Sequence, residues 1–185
     1  MRTFEEDLQA AAAYHGHLCN GMFIGVRMSR YAMKLLGIEE PLAYKDLIVY
    51  SEIDRCASDA VCVVTGCTMG RKRLKLVNYG KLAATFVDLA TDKAIRISPN
   101  KDVQMPDDAD PYQFWAGFSD EELFKQEEVT VDILPRDLPG KPQNRAVCGQ
   151  CGEKILDGRE IQKDGQTLCL ACADKPYYRL TKEQD

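Results

Sequence analysis

The sequence lacks a long apolar run, and this excludes a membrane-spanning helix. Its longest apolar stretches, such as Ala60–Val64, are far shorter than the roughly 20 residues that cross a bilayer. The first residues contain no apolar segment of the secretory type, so we expect a cytoplasmic protein. An excess of positive charge is also missing. The net charge is −5, which disfavours general binding to nucleic acid.

Histidine is scarce, with two residues in 185, whereas cysteine is frequent, with eight. In the reducing cytoplasm, cysteines indicate metal or redox chemistry more often than disulfides. Residues 68–147 contain no cysteine and separate two groups of four. The first group is Cys19, Cys56, Cys62 and Cys67, and the second is Cys148, Cys151, Cys169 and Cys172. We therefore expect two sites of different character.

The order of the sequence patterns predicts an α+β fold. Helices are predicted over Phe4–Tyr14, with Thr3 as the N-cap, and over Leu18–Leu36, ending at Gly37. Strand-like runs follow at Leu47–Ile53, Ala60–Thr65, Thr85–Leu89, Ala94–Ser98 and Val129–Ile133. Because helices come first and strands follow without βαβ alternation, we expect N-terminal helices packed on a mainly antiparallel sheet.

The later part of the chain contains a short helix and a change of character. Ser119–Glu122 has the spacing of a capping box and predicts a helix to about Gln126. Leu134–Val147 contains three of the eight prolines and has no periodicity, which is typical of a linker. We therefore predict a core domain over residues 1–140, followed by the linker and a small module over residues 141–185.

The C-terminal cysteines have the spacing of a four-cysteine zinc finger. Two Cys-x-x-Cys pairs, Cys148 with Cys151 and Cys169 with Cys172, are separated by seventeen residues. Each pair presents two thiolates to one ion, and tetrahedral zinc accepts four. Two disulfides or four free thiols are the alternatives. Four thiolates fill the coordination sphere, so we expect a structural zinc that supplies folding energy to a zinc ribbon or treble-clef finger.

Between and around these pairs, a hairpin and a neutral charge are expected. Lys154–Ile161 and Gln166–Leu168 are predicted to pair through a turn at Lys163–Gly165. From Arg145 onward, seven basic residues balance seven acidic ones. Contact with a protein partner or support of a dimer is therefore at least as well favoured as contact with nucleic acid.

Both histidines lie in one short segment, His15-Gly-His17-Leu-Cys19, at the start of the second predicted helix. Two imidazoles beside a cysteine point to a functional site, and the helix N-terminus favours a thiolate. Cys56 with Asp59, and then Cys67, are expected to supply the other half. Cys62 lies inside an apolar run, where a small core residue and a functional one are equally well supported.

The second predicted helix carries small residues at every fourth position: Gly21, Gly25 and Ser29. Such a face lets another backbone pack closely. The partner is either a second copy of the chain or another element of the same chain.

Four motifs resemble the FmdE family, which takes its name from a component of formylmethanofuran dehydrogenase. In order they are H-G-H-x-C-x-G-x-x-x-G-x-R from His15, C-x-x-D-A from Cys56, T-G-C-T-x-G from Thr65, and the segment Tyr79–Phe86. The resemblance covers about residues 10–90. It implies an α+β core, a homodimer and a metal-binding pocket of His15, His17, Cys19, Cys56, Asp59 and Cys67. Arg27 and Lys81 match polar positions of the family and are expected to face that pocket.

These patterns predict a metal-binding accessory or redox protein, associated by resemblance with formylmethanofuran dehydrogenase chemistry. The second metal ion is expected to be zinc, with nickel or iron also compatible, held by His17, Cys19, Cys56 and Cys67. In a thiol-redox version, Cys19 attacks and Cys56 or Cys67 resolves. Cys19 and Asp59 are the candidate catalytic residues, although no complete catalytic set is evident. The alternative is a regulatory or sensor protein whose zinc finger contacts nucleic acid or a protein.

Overall fold

The computed structural model describes residues 1–103, 105–106, 108–179 and 181. The chain divides into two compact units, Met1–Asp132 and Ile133–Asp185. Each unit has an apolar cluster of its own. The first unit ends eight residues before the boundary at residue 140 that the sequence analysis placed.

The first unit combines helices with a single sheet. Its elements in chain order are α1 (Phe4–His15), α2 (Asn20–Leu36), β1 (Leu47–Ser51), α3 (Cys56–Thr65), β2 (Leu74–Leu76), β3 (Ala84–Asp88), β4 (Lys93–Pro99), α4 (Pro111–Ala116), α5 (Asp120–Leu123) and β5 (Phe124–Glu128). The strand order in the sheet is β2-β1-β3-β4-β5, and only the β1–β2 pair is parallel. The predicted α+β fold with a mainly antiparallel sheet is therefore confirmed.

One face of the sheet belongs to the same apolar core as the helices. Val49, Phe86 and Ile95 lie opposite one another across β1, β3 and β4. They join side chains from α1, α2 and α3 in one cluster. This arrangement places the start of α2 and the start of α3 side by side at the surface of the core.

The small-residue face of α2 packs against α3 of the same chain. A Cβ added to Gly25 would lie 2.8 Å from the Cα of Ala57 and 2.8 Å from the Cβ of Ala60. The second of the two expected partners, an element of the same chain, therefore occupies this face. The predicted homodimer stays a prediction, and the small-residue face no longer argues for it.

The predicted strand over Ala60–Thr65 is wrong, because these residues form most of α3. Val61 and Val64 are buried in the core among the helices and the sheet. Burial of these side chains outweighs the strand preference of β-branched residues, as tertiary packing commonly does.

The end of the sheet also differs from the expectation. The capping box at Ser119 and Glu122 is present, but the helix ends at Leu123 and β5 begins at Phe124. The strand predicted over Val129–Ile133 does not form. Only the N–H of Val129 still donates to the carbonyl of Ala94 on β4.

The second unit contains β6 (Arg145–Val147), β7 (Lys154–Leu156), β8 (Ile161–Lys163), β9 (Gln166–Leu168) and α6 (Leu170–Ala173). Part of the expected hairpin forms, since β8 pairs with β9 across a turn at Asp164 and Gly165. The other part is wrong, because β7 pairs with β6.

The segment predicted as a linker makes contacts within this second unit. Asp137 forms an ion pair with Arg159 at 2.5 Å. The carbonyl of Asn144 accepts a hydrogen bond from the N–H of Asp157 at 2.9 Å. The proline-rich composition reflects short turns that pack beside the finger.

No helix among the described residues is both long and apolar enough to cross a membrane.

Candidate metal centres

The connection between α1 and α2 carries the first cluster. Helix α1 ends at His15, and Gly16 adopts a left-handed conformation with φ 96° while its N–H donates to Ala12. Glycine accepts this conformation without the strain that a Cβ causes. Cys19 is the N-cap of α2, and its carbonyl accepts hydrogen bonds from the N–H groups of Met22 and Phe23. The turn therefore holds both histidines and Cys19 within a few residues of chain.

The ligand atoms of His15, His17 and Cys19 all lie within 4.8 Å of one another. The two imidazole rings are tilted, with centroids 4.8 Å apart. His17 is exposed, whereas His15 and Cys19 are half-buried. Two imidazole nitrogens and one thiolate form a donor set that suits zinc and related divalent ions. Three protein ligands leave a coordination position for another molecule.

A carboxylate from α3 orients one of these histidines. Nδ1 of His15 lies 2.8 Å from Oδ2 of Asp59. When Nδ1 carries the proton and donates it to Asp59, Nε2 keeps the lone pair that binds a metal ion. Asp59 is thus a positioning residue for a ligand, which differs from the catalytic role considered from sequence.

Cys56 lies beside this cluster without belonging to it. It is the first residue of α3, and its Cβ would lie 3.0 Å from a Cβ added to Gly21 on α2. A hydrogen bond with Cys19 is the main cause of the raised pKa of the Cys56 thiol, with burial second. Cys56 therefore contacts the ligand Cys19 but lies outside the group of three ligand atoms.

Cys67 does not join the cluster. Its side chain is fully buried in the core, and its Sγ lies 3.4 Å from the carbonyl oxygen of Leu47. Burial raises the pKa of this thiol, although the charge of Arg73 opposes the rise. The motif that carries Cys67 closes the end of α3, which puts the cysteine against β1. The structure therefore replaces Cys67 in the predicted ligand set with His15.

Arg27 and Lys81, the two cations expected at the pocket, are placed elsewhere. Arg27 donates to the carbonyls of Trp115 and Phe118 and to the carboxylate of Asp120. It therefore fastens the α4–α5 connection to α2. Lys81 is exposed, with its Nζ 5.8 Å from the ring centroid of Tyr79.

A pocket of about 300 Å³ adjoins the cluster through Asp59. Cys62, one helical turn further along α3, lines the same pocket, and burial followed by the charge of Asp59 raises its pKa to about 11. The remaining lining side chains carry hydroxyl, carboxyl and apolar groups: Tyr14, Ser51, Asp54, Ser58, Thr68, Met69, Leu74 and Leu76. Sequence reasoning missed this pocket because its residues come from several separate segments. The one available signal was the adjacency of Tyr14 to His15.

The second centre contains the four C-terminal cysteines. Their sulfur atoms all lie within 4.8 Å of one another, and Cys151 and Cys169 are 4.0 Å apart. Tetrahedral zinc with Zn–S bonds of about 2.3 Å needs sulfur atoms about 3.8 Å apart, so the donor set fits the ion. All four predicted ligands come together.

Backbone groups prepare this centre for thiolates. The N–H of Cys169 donates to Sγ of Cys148 at 3.3 Å. Hydrogen bonds from the N–H groups of Cys151 and Cys169 lower the pKa of Cys148 to about 6. Across the cluster, a hydrogen bond with Cys169 raises the pKa of Cys172 to about 12. A cation at the centre of the four sulfurs relieves this competition because all four then ligate as thiolates.

An α+β core with a histidine–cysteine cluster and a separate four-cysteine finger defines the class of protein. The chain belongs to the FmdE family, since the family model described as "FmdE, Molybdenum formylmethanofuran dehydrogenase operon" matches residues 14–131. Residues 143–178 match the prokaryotic dksA/traR C4-type zinc finger. The resemblance read from the four motifs and the predicted zinc finger are confirmed.

Two known proteins extend the comparison. The chain is 32% identical over 201 residues to a "Probable S-adenosyl-L-methionine-binding protein" of Archaeoglobus fulgidus. That alignment covers 92% of this chain and 53% of the relative, so the chain spans about half of the relative's length. The crystal structure of an FmdE-like protein of the tungsten formylmethanofuran dehydrogenase type, from Syntrophus aciditrophicus, has a TM-score of 0.64, 23% identity and 96% coverage of both chains. This second likeness supports the fold.

Proposed function

We propose that this FmdE-family protein binds a second metal ion in its core unit, through His15, His17 and Cys19, and works as a metal-dependent accessory or redox protein. The observation that carries the proposal is the convergence of three ligand atoms within 4.8 Å of one another. The hydrogen bond from His15 to Asp59 supports it, because metal-binding histidines commonly pass their other N–H to a carboxylate.

Zinc is the ion that this mixed nitrogen and sulfur set favours, and nickel or iron is also compatible. An ion with an open position supplies Lewis-acid chemistry or binds one further molecule. The pocket beside Asp59 offers a small molecule a route to the cluster. Because no complete acid–base or nucleophile–base set accompanies the cluster among the described residues, an accessory role within formylmethanofuran dehydrogenase-type chemistry is favoured over independent turnover.

Metal analysis tests the proposal on protein purified without chelator. We expect two metal ions per chain, of which one resists a chelator and one is labile. The double variant His17→Ala, Cys19→Ser should lose the labile ion and keep the resistant one. Its matched control, Cys62→Ser, should keep both, since Cys62 faces the pocket outside the ligand group. Equal metal content in wild type and double variant, with no labile fraction in either, would remove the second metal site.

The metal affinity of this site should also depend on pH. Histidine and cysteine must lose protons before they bind a metal ion, so the labile ion should be released first as the pH falls. A labile fraction that is equally well held in acid and in neutral buffer would speak against imidazole and thiolate ligands.

A second candidate role belongs to the zinc finger. Large apolar side chains on this unit are exposed, including Leu170 and Tyr177, and its charge is balanced. These features favour contact with a protein over contact with nucleic acid. Duplex DNA binding that weakens steeply with salt would reverse this preference.

A further inference from the structure

Two cysteines at the first cluster form a contact pair that metal binding does not require. Cys19 is the N-cap of α2, and Cys56 is the first residue of α3. Their thiols are hydrogen-bonded to each other. The contact depends on Gly21, since a Cβ there would lie 3.0 Å from the Cβ and 3.7 Å from the Sγ of Cys56.

The other two cysteines of the core are placed where they cannot replace Cys56 in this pair. Cys67 is fully buried, with its thiol directed at the Leu47 carbonyl. Cys62 lies almost two helical turns beyond Cys56 and lines the pocket beside Asp59. Cys19 and Cys56 are both half-buried, so small reagents reach them. Two accessible thiols in contact are the geometric requirement for disulfide formation.

We propose that Cys19 and Cys56 form a reversible disulfide, and that this bond withdraws Cys19 from the core metal site so that oxidation and metal binding exclude each other. The exclusion rests on the proposed function, whereas the disulfide does not. A sulfur bonded to another sulfur no longer supplies the thiolate that a metal ion needs. The state of the thiol pair would then set how much of the protein carries the labile ion.

The oxidant is a low-molecular-weight disulfide. One thiolate of the pair attacks a sulfur of that disulfide, breaks its S–S bond and releases one small thiolate, which takes up a proton. The neighbouring thiolate then attacks the protein sulfur of the mixed disulfide and releases the second small thiol. Two protein thiols are oxidised to one disulfide, and one small disulfide is reduced to two thiols, so atoms and electrons balance.

The experiment uses the full chain with zinc in the finger, after a chelator has removed the labile ion. Oxidised glutathione is added, remaining thiols are alkylated, and the tryptic peptides are identified by mass spectrometry. Trypsin leaves Cys19 in the peptide of residues 3–27, and Cys56, Cys62 and Cys67 in the peptide of residues 56–71. We expect these two peptides to be linked, with fragmentation placing the bond at Cys56.

Matched variants separate the two halves of the proposal. Cys56→Ser should abolish the link and keep the labile metal, whereas Cys62→Ser should keep both. Free zinc at about ten times the Kd of the core site should lower the yield of the link about tenfold in wild-type protein.

A missing link, or a bond from Cys19 to Cys62 or Cys67, overturns the disulfide. An equal yield with and without zinc, in protein whose core has bound the ion, overturns the exclusion. If the link forms but the core binds no zinc, the proposed function and the exclusion fall together and the disulfide stands.

Discussion

Asp59 binds no metal ion itself, yet it decides how one ligand is presented. It accepts a hydrogen bond from Nδ1 of His15, and that bond fixes both the tautomer and the orientation of the ring. Replacing Asp59 by Asn should therefore weaken binding of the labile metal ion about 10- to 100-fold. Competition with a chromogenic chelator measures this change.

Asp54→Asn is the matched control, because Asp54 lines the same pocket without a hydrogen bond to His15 among the described contacts. The control should bind metal as the wild type does. Asp59→Asn binding within about twofold of wild type would contradict the positioning role, for which a tenfold loss is the lower bound.

Asp88 links stability to pH at the turn between β3 and β4. Burial would raise its pKa, but hydrogen bonds from Tyr44, Thr91 and the N–H of Ala90 outweigh burial and hold the pKa below its ordinary value of 3.8. A carboxyl with a lowered pKa stabilises the fold above 3.8 and loses this contribution as the pH falls through the lower value.

Tyr44→Phe removes one of the donors to Asp88, so it should lower the urea midpoint at neutral pH. The difference from wild type should shrink once the pH falls below 3.8, where the carboxylate begins to take up protons. A difference that stays constant over this range would mean that the Tyr44 hydroxyl acts independently of the charge on Asp88.

The close approach of α2 and α3 sets the distance between the two halves of the first cluster. Gly25→Ala would place a Cβ 2.8 Å from the backbone of Ala57, so the helices must separate. We expect a loss of about 1–3 kcal/mol in the free energy of unfolding, measured by urea titration. This loss should exceed the gain in helix propensity that alanine brings.

Gly70→Ala provides the control for overpacking, since nothing lies within 4 Å of a Cβ at that position. It should unfold close to wild type. Equal stability of the two variants would show that α2 and α3 repack without cost.

The elements differ in how far the sequence predicts them. The ends of α1 and α2 follow from local chemistry, because Thr3 caps one helix and Gly37 ends the other. Helix α3 does not, since its β-branched residues favour a strand until α2 packs against Ala57 and Ala60. Strand β5 is polar and escapes sequence reasoning, because its pairing with β4 carries the signal.

The same distinction applies to the two candidate sites. The finger is predictable residue by residue, because all four ligands lie in two short motifs. The core cluster is only partly so. His17 and Cys19 are close in sequence, but the replacement of Cys67 by His15 depends on where α3 ends against β1. Tertiary placement of this kind leaves no local pattern.

For the whole molecule, the oligomeric state stays a prediction that rests on the family resemblance. Sedimentation at tens of micromolar protein should give the mass of two chains. The small-residue face cannot supply the contact, because it is buried against α3. A single-chain mass at that concentration would contradict the dimer.

The two units should respond separately to loss of the finger's metal ion. Only Cys148, Ile155 and Leu168 are buried in the apolar cluster of the second unit, among the described residues. So small a core does not fold without a metal ion or another staple. The first unit has a far larger core from α1, α2, α3 and the sheet.

Cys151→Ser should therefore remove the chelator-resistant zinc and expose residues 148–172 to protease, while the thermal unfolding of the core stays as in wild type. Limited proteolysis with mass spectrometry, run beside metal analysis, measures both effects on one sample. The control is Cys62→Ser, which removes a thiol from the first unit and should leave the finger resistant. If Cys151→Ser kept its resistant zinc and its protected finger, three thiolates would suffice to hold the ion. If it lowered the core transition as well, the two units would share their stability, and separate folding would be wrong.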